Sequence, residues 1–244
     1  MIGVFDSGIG GVTVLKQLLK ELPNEDYIYY SDSLHNPYGD KSEEEIIRIV
    51  DNVVNYLIKN KCKIIIIACN TASAICKDYL RGKYSIPFIA IEPAYKVVYD
   101  NAKEYKTLIM ATKATIESNK FKELYNKYNN NNTSLCICSG LADLIEEGNK
   151  EKILSYLNDN LKKYIGVKNV VLGCTHYPLI KKEIKEVLGD VTFFDGSVGV
   201  AHQTKKILAK NNILSNNIRA GSIRFIDSSN DEMKKKTFMS ILES

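Results

Sequence analysis

The sequence predicts an α/β fold made of two similar halves, each built on a mainly parallel sheet. Three observations point there. Short apolar runs rich in β-branched residues alternate with helical patterns from one end of the chain to the other. The runs are continuously apolar, as expected of strands covered on both faces. A motif also repeats: Ile64-Ile65-Ile66-Ile67-Ala68-Cys69-Asn70-Thr71 resembles Asn169-Val170-Val171-Leu172-Gly173-Cys174-Thr175-His176, with Cys174 lying 105 positions after Cys69. The same offset carries Asp6-Ser7 to Ala111-Thr112, where another apolar run closes, and Tyr38 to Asp143, just ahead of Glu146. Duplicated half-molecules would explain this, although weak similarity within one sequence can also arise by coincidence.

The elements follow in order. Residues 3–5 read as a strand, 11–22 as a helix and 27–31 as a second strand. Ser42 starts a helix, because Ser42 with Glu45 has the spacing of a capping box. Ile46, Ile47, Val50, Val53, Val54 and Leu57 give that helix one apolar face. Residues 63–68 form a buried strand and 86–91 another. Further strands are predicted at 107–111, 134–138, 169–172, 192–194 and 222–226. The asparagine tract 129–132 reads as a surface loop.

Composition narrows the function classes. The chain has 244 residues, 45% of them apolar and 25% charged, which is enough for an ordinary buried core. The net charge of +4 is small, and no basic run is interleaved with aromatics, so no nucleic-acid partner is expected. The apolar run from Ile64 to Ala68 is too short to span a bilayer, and no export signal is read at the start. A cytoplasmic location with no membrane partner is therefore expected, and the six cysteines read as free thiols. None is paired with histidine at a zinc-binding spacing.

Cys69 and Cys174 both stand where a buried strand gives way to a helix. In open α/β sheets, ligands bind at the carboxyl ends of strands. The N-terminus of a following helix favours a carboxylate there and lowers the pKa of a thiol. A single cysteine at a strand end is commonly just a small buried residue; two in matching halves carry more weight. Asp6 ahead of Ser-Gly, taken alone, reads first as a cap on the next helix. Gly8, Gly10 and Gly11 have the spacing of a phosphate-cradling turn, but no Lys-Ser/Thr follows, so they are not a P-loop. No cofactor or metal motif is found.

Several segments together resemble the bacterial glutamate racemases. They are Phe5-Asp6-Ser7-Gly8-Ile9-Gly10-Gly11, Pro37-Tyr38-Gly39, Ala68-Cys69-Asn70-Thr71-Ala72-Ser73, Ile91-Glu92-Pro93 and Gly173-Cys174-Thr175-His176-Tyr177-Pro178, with Thr115-Ile116-Glu117-Ser118 also fitting. The resemblance implies two α/β domains, 1–94 plus 198–244 and 95–197, with the active site in the cleft between them. It implies cofactor-independent interconversion of L- and D-glutamate, an amino-acid substrate, a product used for peptidoglycan, and a homodimer. Cys69 and Cys174 match the two acid/base cysteines, Asp6 the carboxylate assisting the first, and His176 the histidine assisting the second. Glu146 matches a further acidic helper through its spacing from Cys138. Asp6, Ser7, Tyr38, Gly39, Asn70, Thr71, Thr175 and His176 match substrate-binding positions. The chemistry is consistent with those roles: racemisation needs a base on one face of the α-carbon and an acid on the other, and thiols of lowered pKa serve as both.

Two departures from the family pattern stand out. Ser31-Asp32-Ser33-Leu34-His35 replaces a more usual Gly-Asp-Thr-Ala-Arg, and Ala94 follows Pro93 where glycine is frequent. Rival readings are a related two-cysteine racemase acting on aspartate or another amino acid, a non-catalytic carboxylate-binding protein, and a one-cysteine decarboxylase. The decarboxylase needs only one proton donor, so the paired cysteines argue against it. An aspartyl phosphotransferase built on Asp6 lacks a second Asp two residues on.

Overall fold

The computed structural model describes residues 1–243. The first sheet contains β1 (Ile2–Asp6), β2 (Tyr27–Ser31), β3 (Ile64–Ile67), β4 (Phe88–Ala90) and the late strand β9 (Ile223–Asp227), in the order β4-β3-β1-β2-β9. The second contains β5 (Thr107–Ala111), β6 (Thr133–Ile137), β7 (Asn169–Gly173) and β8 (Thr192–Phe194), in the order β6-β5-β7-β8. Every strand pair is parallel.

The helices are α1 (Val12–Glu21), α2 (Glu43–Lys59), α3 (Asn70–Lys83), α4 (Tyr95–Ala102), α5 (Lys113–Glu117), α6 (Asn119–Tyr128), α7 (Leu141–Glu147), α8 (Lys150–Leu161), α9 (Lys181–Leu188), α10 (Ser197–Lys210) and α11 (Glu232–Glu243). None of the described helices is long and apolar enough to cross a membrane.

The inner strands form where the apolar runs predicted, because their side chains alternate between two buried layers. Ile64 and Ile66 pack with α1, α10 and α11, while Ile65 and Ile67 pack with α2 and α3. All four are fully buried, and each stabilises the fold by about 1.5–3 kcal/mol. In the second sheet, Leu108, Met110, Val170 and Leu172 face α7, α8 and α9, while Ile109 and Val171 face α4 and α6.

β4 is shorter than the predicted 86–91. It begins after Pro87, which has no N–H to give the ladder but lends its carbonyl to Ile65 N at 3.0 Å. The capping box at α2 is half formed. Ser42 Oγ accepts from Glu45 N at 3.3 Å, but the Glu45 carboxylate pairs with Lys41.

The offset of 105 reappears in the strand pairing. Ile2 pairs with Ile64 and Thr107 with Asn169; Ile65 pairs with Phe88 and Val170 with Phe193. Three strands of each sheet thus correspond at one offset and in one register. The fourth, β6, is shifted by one further residue relative to β2. The first sheet adds β9 beside β2.

Candidate active site

The carboxyl ends of the strands in both sheets open onto one cleft of about 500 Å³, counting space open to solvent. Cys69 and Cys174 both line it. Cys69 follows β3 as the N-cap of α3, and its Sγ accepts from Ala72 N at 3.5 Å. The same sulfur donates to Ser7 Oγ at 3.7 Å. Burial, and then the nearby Asp6 carboxylate, push the Cys69 thiol up to about 12. The lowered thiol pKa expected from the start of α3 is thus not met at Cys69 in the ligand-free protein, because burial outweighs the helix N-terminus.

Cys174 follows the last residue of β7, Gly173. A Cβ on Gly173 would lie 2.8 Å from Ala111 Cβ and 2.9 Å from Met110 O, so only glycine lets β7 approach β5 this closely. Cys174 Sγ lies 3.7 Å from His176 Nδ1, and His176 Nε2 lies 2.9 Å from Glu146 Oε1. Glu146 closes the line from the end of α7. Burial on its own would lower the basicity of His176, but hydrogen bonds to Cys174 and Glu146 raise its pKa well above the ordinary histidine value. Burial would likewise raise Glu146; His176 and Lys234 overcome it and hold the carboxyl at about 2. The result is an ordered imidazolium–carboxylate pair beside Cys174, able to pass a proton to or from the sulfur.

Asp6 is fully buried under the loop that follows β1. Its Oδ2 accepts from Gly11 N at 2.9 Å and Gly8 N at 3.4 Å, which fixes the turn into α1. Thr175 Oγ1 donates to both Asp6 oxygens, at 3.2 and 3.3 Å. One carboxylate thus holds both the turn into α1 and a threonine of the cleft wall. Asp6 and Glu146 stand behind the cleft wall, and a direct contact between Asp6 and a ligand would require the Thr175 bond to give way. Burial raises the Asp6 pKa above the ordinary aspartate value.

The other expected site residues lie on the wall itself: Ser7, Tyr38, Gly39, Asn70, Thr71, Thr175 and His176. Asn70 opens α3, and both its amide Nδ2 and Oδ1 are buried without a partner. Buried amides are normally hydrogen-bonded, so an unpaired one at a cleft marks a place for a polar ligand. Thr71 Oγ1 meets Thr112 Oγ1 at 3.0 Å across the cleft. Tyr38 is held by Asp32, its hydroxyl donating to Oδ2 at 2.6 Å, with His35 Nδ1 on the same carboxylate. The unusual stretch at 31–35 thus keeps the group that orients Tyr38. Ala94 has φ −72°, which any residue adopts, so glycine is not needed there.

The glycine loop is not a phosphate cradle. A Cβ on Gly8 would run into Glu146 Oε1, and one on Gly10 would sit 2.7 Å from His176 Nδ1 and 2.8 Å from His176 N. These glycines let the first half press against His176 and Glu146 of the second.

Sequence reasoning missed Asn36, whose Nδ2 donates to Asp143 Oδ1 at 3.3 Å, and Ser139, both on the wall. It gave no role to Thr112, although the offset of 105 makes Thr112 the counterpart of Ser7. Among the described residues, no group of three or more His, Cys, Asp or Glu is arranged to hold a metal ion.

With this geometry in place, the similarities to known proteins are informative. The sequence model of the family described as Asp/Glu/Hydantoin racemase matches residues 2–203. A Clostridium acetobutylicum protein named glutamate racemase is 44% identical over 237 residues, covering 95% of this chain and 93% of that protein. The crystal structure of a glutamate racemase isoform from Bacillus anthracis superposes with a TM-score of 0.88 at 30% identity, covering 100% of this chain and 94% of that one. The Francisella tularensis glutamate racemase, solved in complex with D-glutamate, gives 0.84 at 33% identity, with 100% and 93% covered. The similarity spans both cysteine segments and the cleft they line, and the chain belongs to the Asp/Glu/hydantoin racemase family.

Proposed function

We propose that this chain interconverts L- and D-glutamate without a cofactor, using Cys69 and Cys174 as two bases on opposite faces of the α-carbon. The observation that carries the reading is the pair of cysteines, which close corresponding strands of the two halves and line one cleft. Glutamate is favoured as substrate by the names of the relatives, which are 44% identical in one case and bind D-glutamate in another.

In this reading the substrate carboxylate takes the unpaired Asn70 amide N–H and the neighbouring hydroxyls of Ser7 and Thr71. A thiolate at one sulfur removes the α-proton and becomes a thiol. Negative charge spreads into the carboxylate, where these preorganised donors stabilise it. The thiol on the other side then delivers its proton to the opposite face and becomes the thiolate. Each turnover therefore exchanges the protonation states of the two sulfurs. The form protonated at Cys69 acts on one enantiomer and the form protonated at Cys174 on the other. His176, backed by Glu146, moves the proton at Cys174; Asp6 works from behind the wall through Thr175 and the Gly8–Gly11 turn.

The proposal extends to domains 1–94 plus 198–244 and 95–197, for which the pairing of β9 with β2 is support. It also includes a cytoplasmic homodimer supplying D-glutamate for peptidoglycan. Circular dichroism of purified protein with each enantiomer of glutamate and of aspartate tests the substrate. Loss of optical activity from both glutamate enantiomers, with kcat/KM far above that for aspartate, is expected. Equal turnover of aspartate would favour a broader racemase, and no turnover of either would favour a carboxylate-binding protein.

A further inference from the structure

The C-terminal helix reaches into the acid/base line from outside the cleft. Its start is fixed locally: Asp231 Oδ1 accepts from Met233 N at 2.8 Å just ahead of the helix body. Its seat is apolar. Phe238 is fully buried, with its ring 4.3 Å from that of Phe225 on β9 and 4.9 Å from that of Tyr29 on β2. Tyr29 in turn donates through its hydroxyl to Gly8 O at 2.9 Å, so the same aromatic stack underlies the glycine loop.

One turn before Phe238, Lys234 leaves the helix toward the second half. Lys234 Nζ lies 2.9 Å from Glu146 Oε2, while the other oxygen of that carboxylate accepts from Ile9 N at 3.1 Å and meets His176 Nε2 at 2.9 Å. The glutamate is only 10% exposed and Lys234 28%. Glu146 is thus gripped at both oxygens by the first half of the molecule, and presents its remaining capacity to the imidazole that faces Cys174.

We infer that Lys234 is a positioning residue for the second acid/base cysteine. It holds Glu146 in the orientation that orders His176 against Cys174, and so ties the seating of the C-terminal helix to proton transfer at that sulfur. The inference rests on the proposed two-cysteine reading and deepens it. Lys234 neither lines the cleft nor touches either sulfur. Its effect must therefore pass through Glu146, and that makes it separable from a general loss of structure.

The test is a double-mutant cycle with a reactivity arm. Lys234→Met should lower glutamate kcat by about tenfold with KM changed less than about twofold, because the loss falls on proton transfer and not on binding. Lys234→Arg, which keeps the cation, should recover to within about threefold of wild type. In a Glu146→Gln background, Lys234→Met should have almost no further effect, since its route is already cut. Independently of turnover, alkylation by iodoacetamide, read by peptide mass spectrometry, should slow at Cys174 by at least about threefold in Lys234→Met and stay unchanged at Cys69. A variant that merely loosened the fold would change both sites. If wild type does not racemise glutamate, the substrate reading fails and the alkylation arm alone decides the role of Lys234. Wild-type alkylation at Cys174 in Lys234→Met, or full additivity with Glu146→Gln, would overturn the inference.

Discussion

Replacing Gly10 with alanine tests how tightly the two halves meet at the site. The new Cβ would sit 2.7 Å from His176 Nδ1, 2.8 Å from Cγ and 2.8 Å from the backbone N. Ordinary carbon contacts lie at about 3.5–4.0 Å, so roughly 0.8 Å must be found. A flexible side-chain end would yield this by rotating, but the backbone nitrogen of His176 cannot. The ring is also held by Glu146 on one side and Cys174 on the other. Either the loop from β1 lifts or His176 is displaced. Overpacking of this kind costs about 1–3 kcal/mol, and a displacement near 1 Å at an acid/base group costs about 100-fold in rate. Gly82 provides the contrast: it lies within α3, is exposed, and a Cβ there meets nothing within 4 Å. Gly82→Ala should gain about 0.5–1 kcal/mol. Urea denaturation and racemisation kinetics on both variants are the assay. Gly10→Ala should be less stable and about 100-fold slower, and Gly82→Ala slightly more stable with unchanged kcat/KM. Wild-type stability and rate in Gly10→Ala would refute the claim that this glycine exists for close approach.

Asn70→Ala should leave the urea midpoint nearly unchanged, because the amide bonds nothing in the free protein, while kcat/KM falls about 10- to 100-fold through lost hydrogen bonds to the substrate; unchanged kinetics would remove Asn70 from the binding site. Glu146 should contribute to acid sensitivity. Its carboxyl lies at about 2 in the folded protein against an ordinary 4.5, so its ionised form favours folding. That contribution, on the order of 3 kcal/mol, is fully present above pH ~4.5 and is lost as pH falls toward 2. The stability gap between wild type and Glu146→Gln should therefore be widest near neutrality and close as pH drops; a gap constant from pH 7 to 3 would contradict it.

The inner strands β1, β3, β5 and β7 were legible because each is a short run buried on both faces, and Ile64–Ile67 needs no tertiary knowledge to be read as one. The two-fold plan was legible for the same reason: the strand ends carry the repeat, and Cys69 and Cys174 close it. The glycines were legible as special but not as contacts, since what a Cβ on Gly8 or Gly10 would strike lies more than 130 residues away. Long-range polar pairs were hidden likewise. Nothing local in Lys234 or Asn36 announces Glu146 or Asp143 as a partner, and Glu45 was drawn from its cap by Lys41, a neighbour equally available in sequence. Asp6 was read as either a cap or a helper; its Oδ2 fixes the turn into α1 through Gly8 N and Gly11 N, and both oxygens accept from Thr175 on the cleft wall.

Solvent deuterium labelling tests the two-cysteine account most directly. In deuterated water both thiols exchange before reacting, because both line the open cleft. One thiolate removes the α-proton from its own face and the other thiol delivers a deuteron from the opposite face. The enantiomers have equal free energy in water, so kcat/KM must be the same in both directions, and label distribution carries the information that rates cannot. Starting from either enantiomer, the newly formed one should carry α-deuterium at the earliest times while the remaining substrate stays protiated, as read by mass spectrometry of the separated enantiomers. Early return of protium to the product, or comparable early label in both enantiomers, would mean that a single base serves both faces and would contradict separate roles for Cys69 and Cys174.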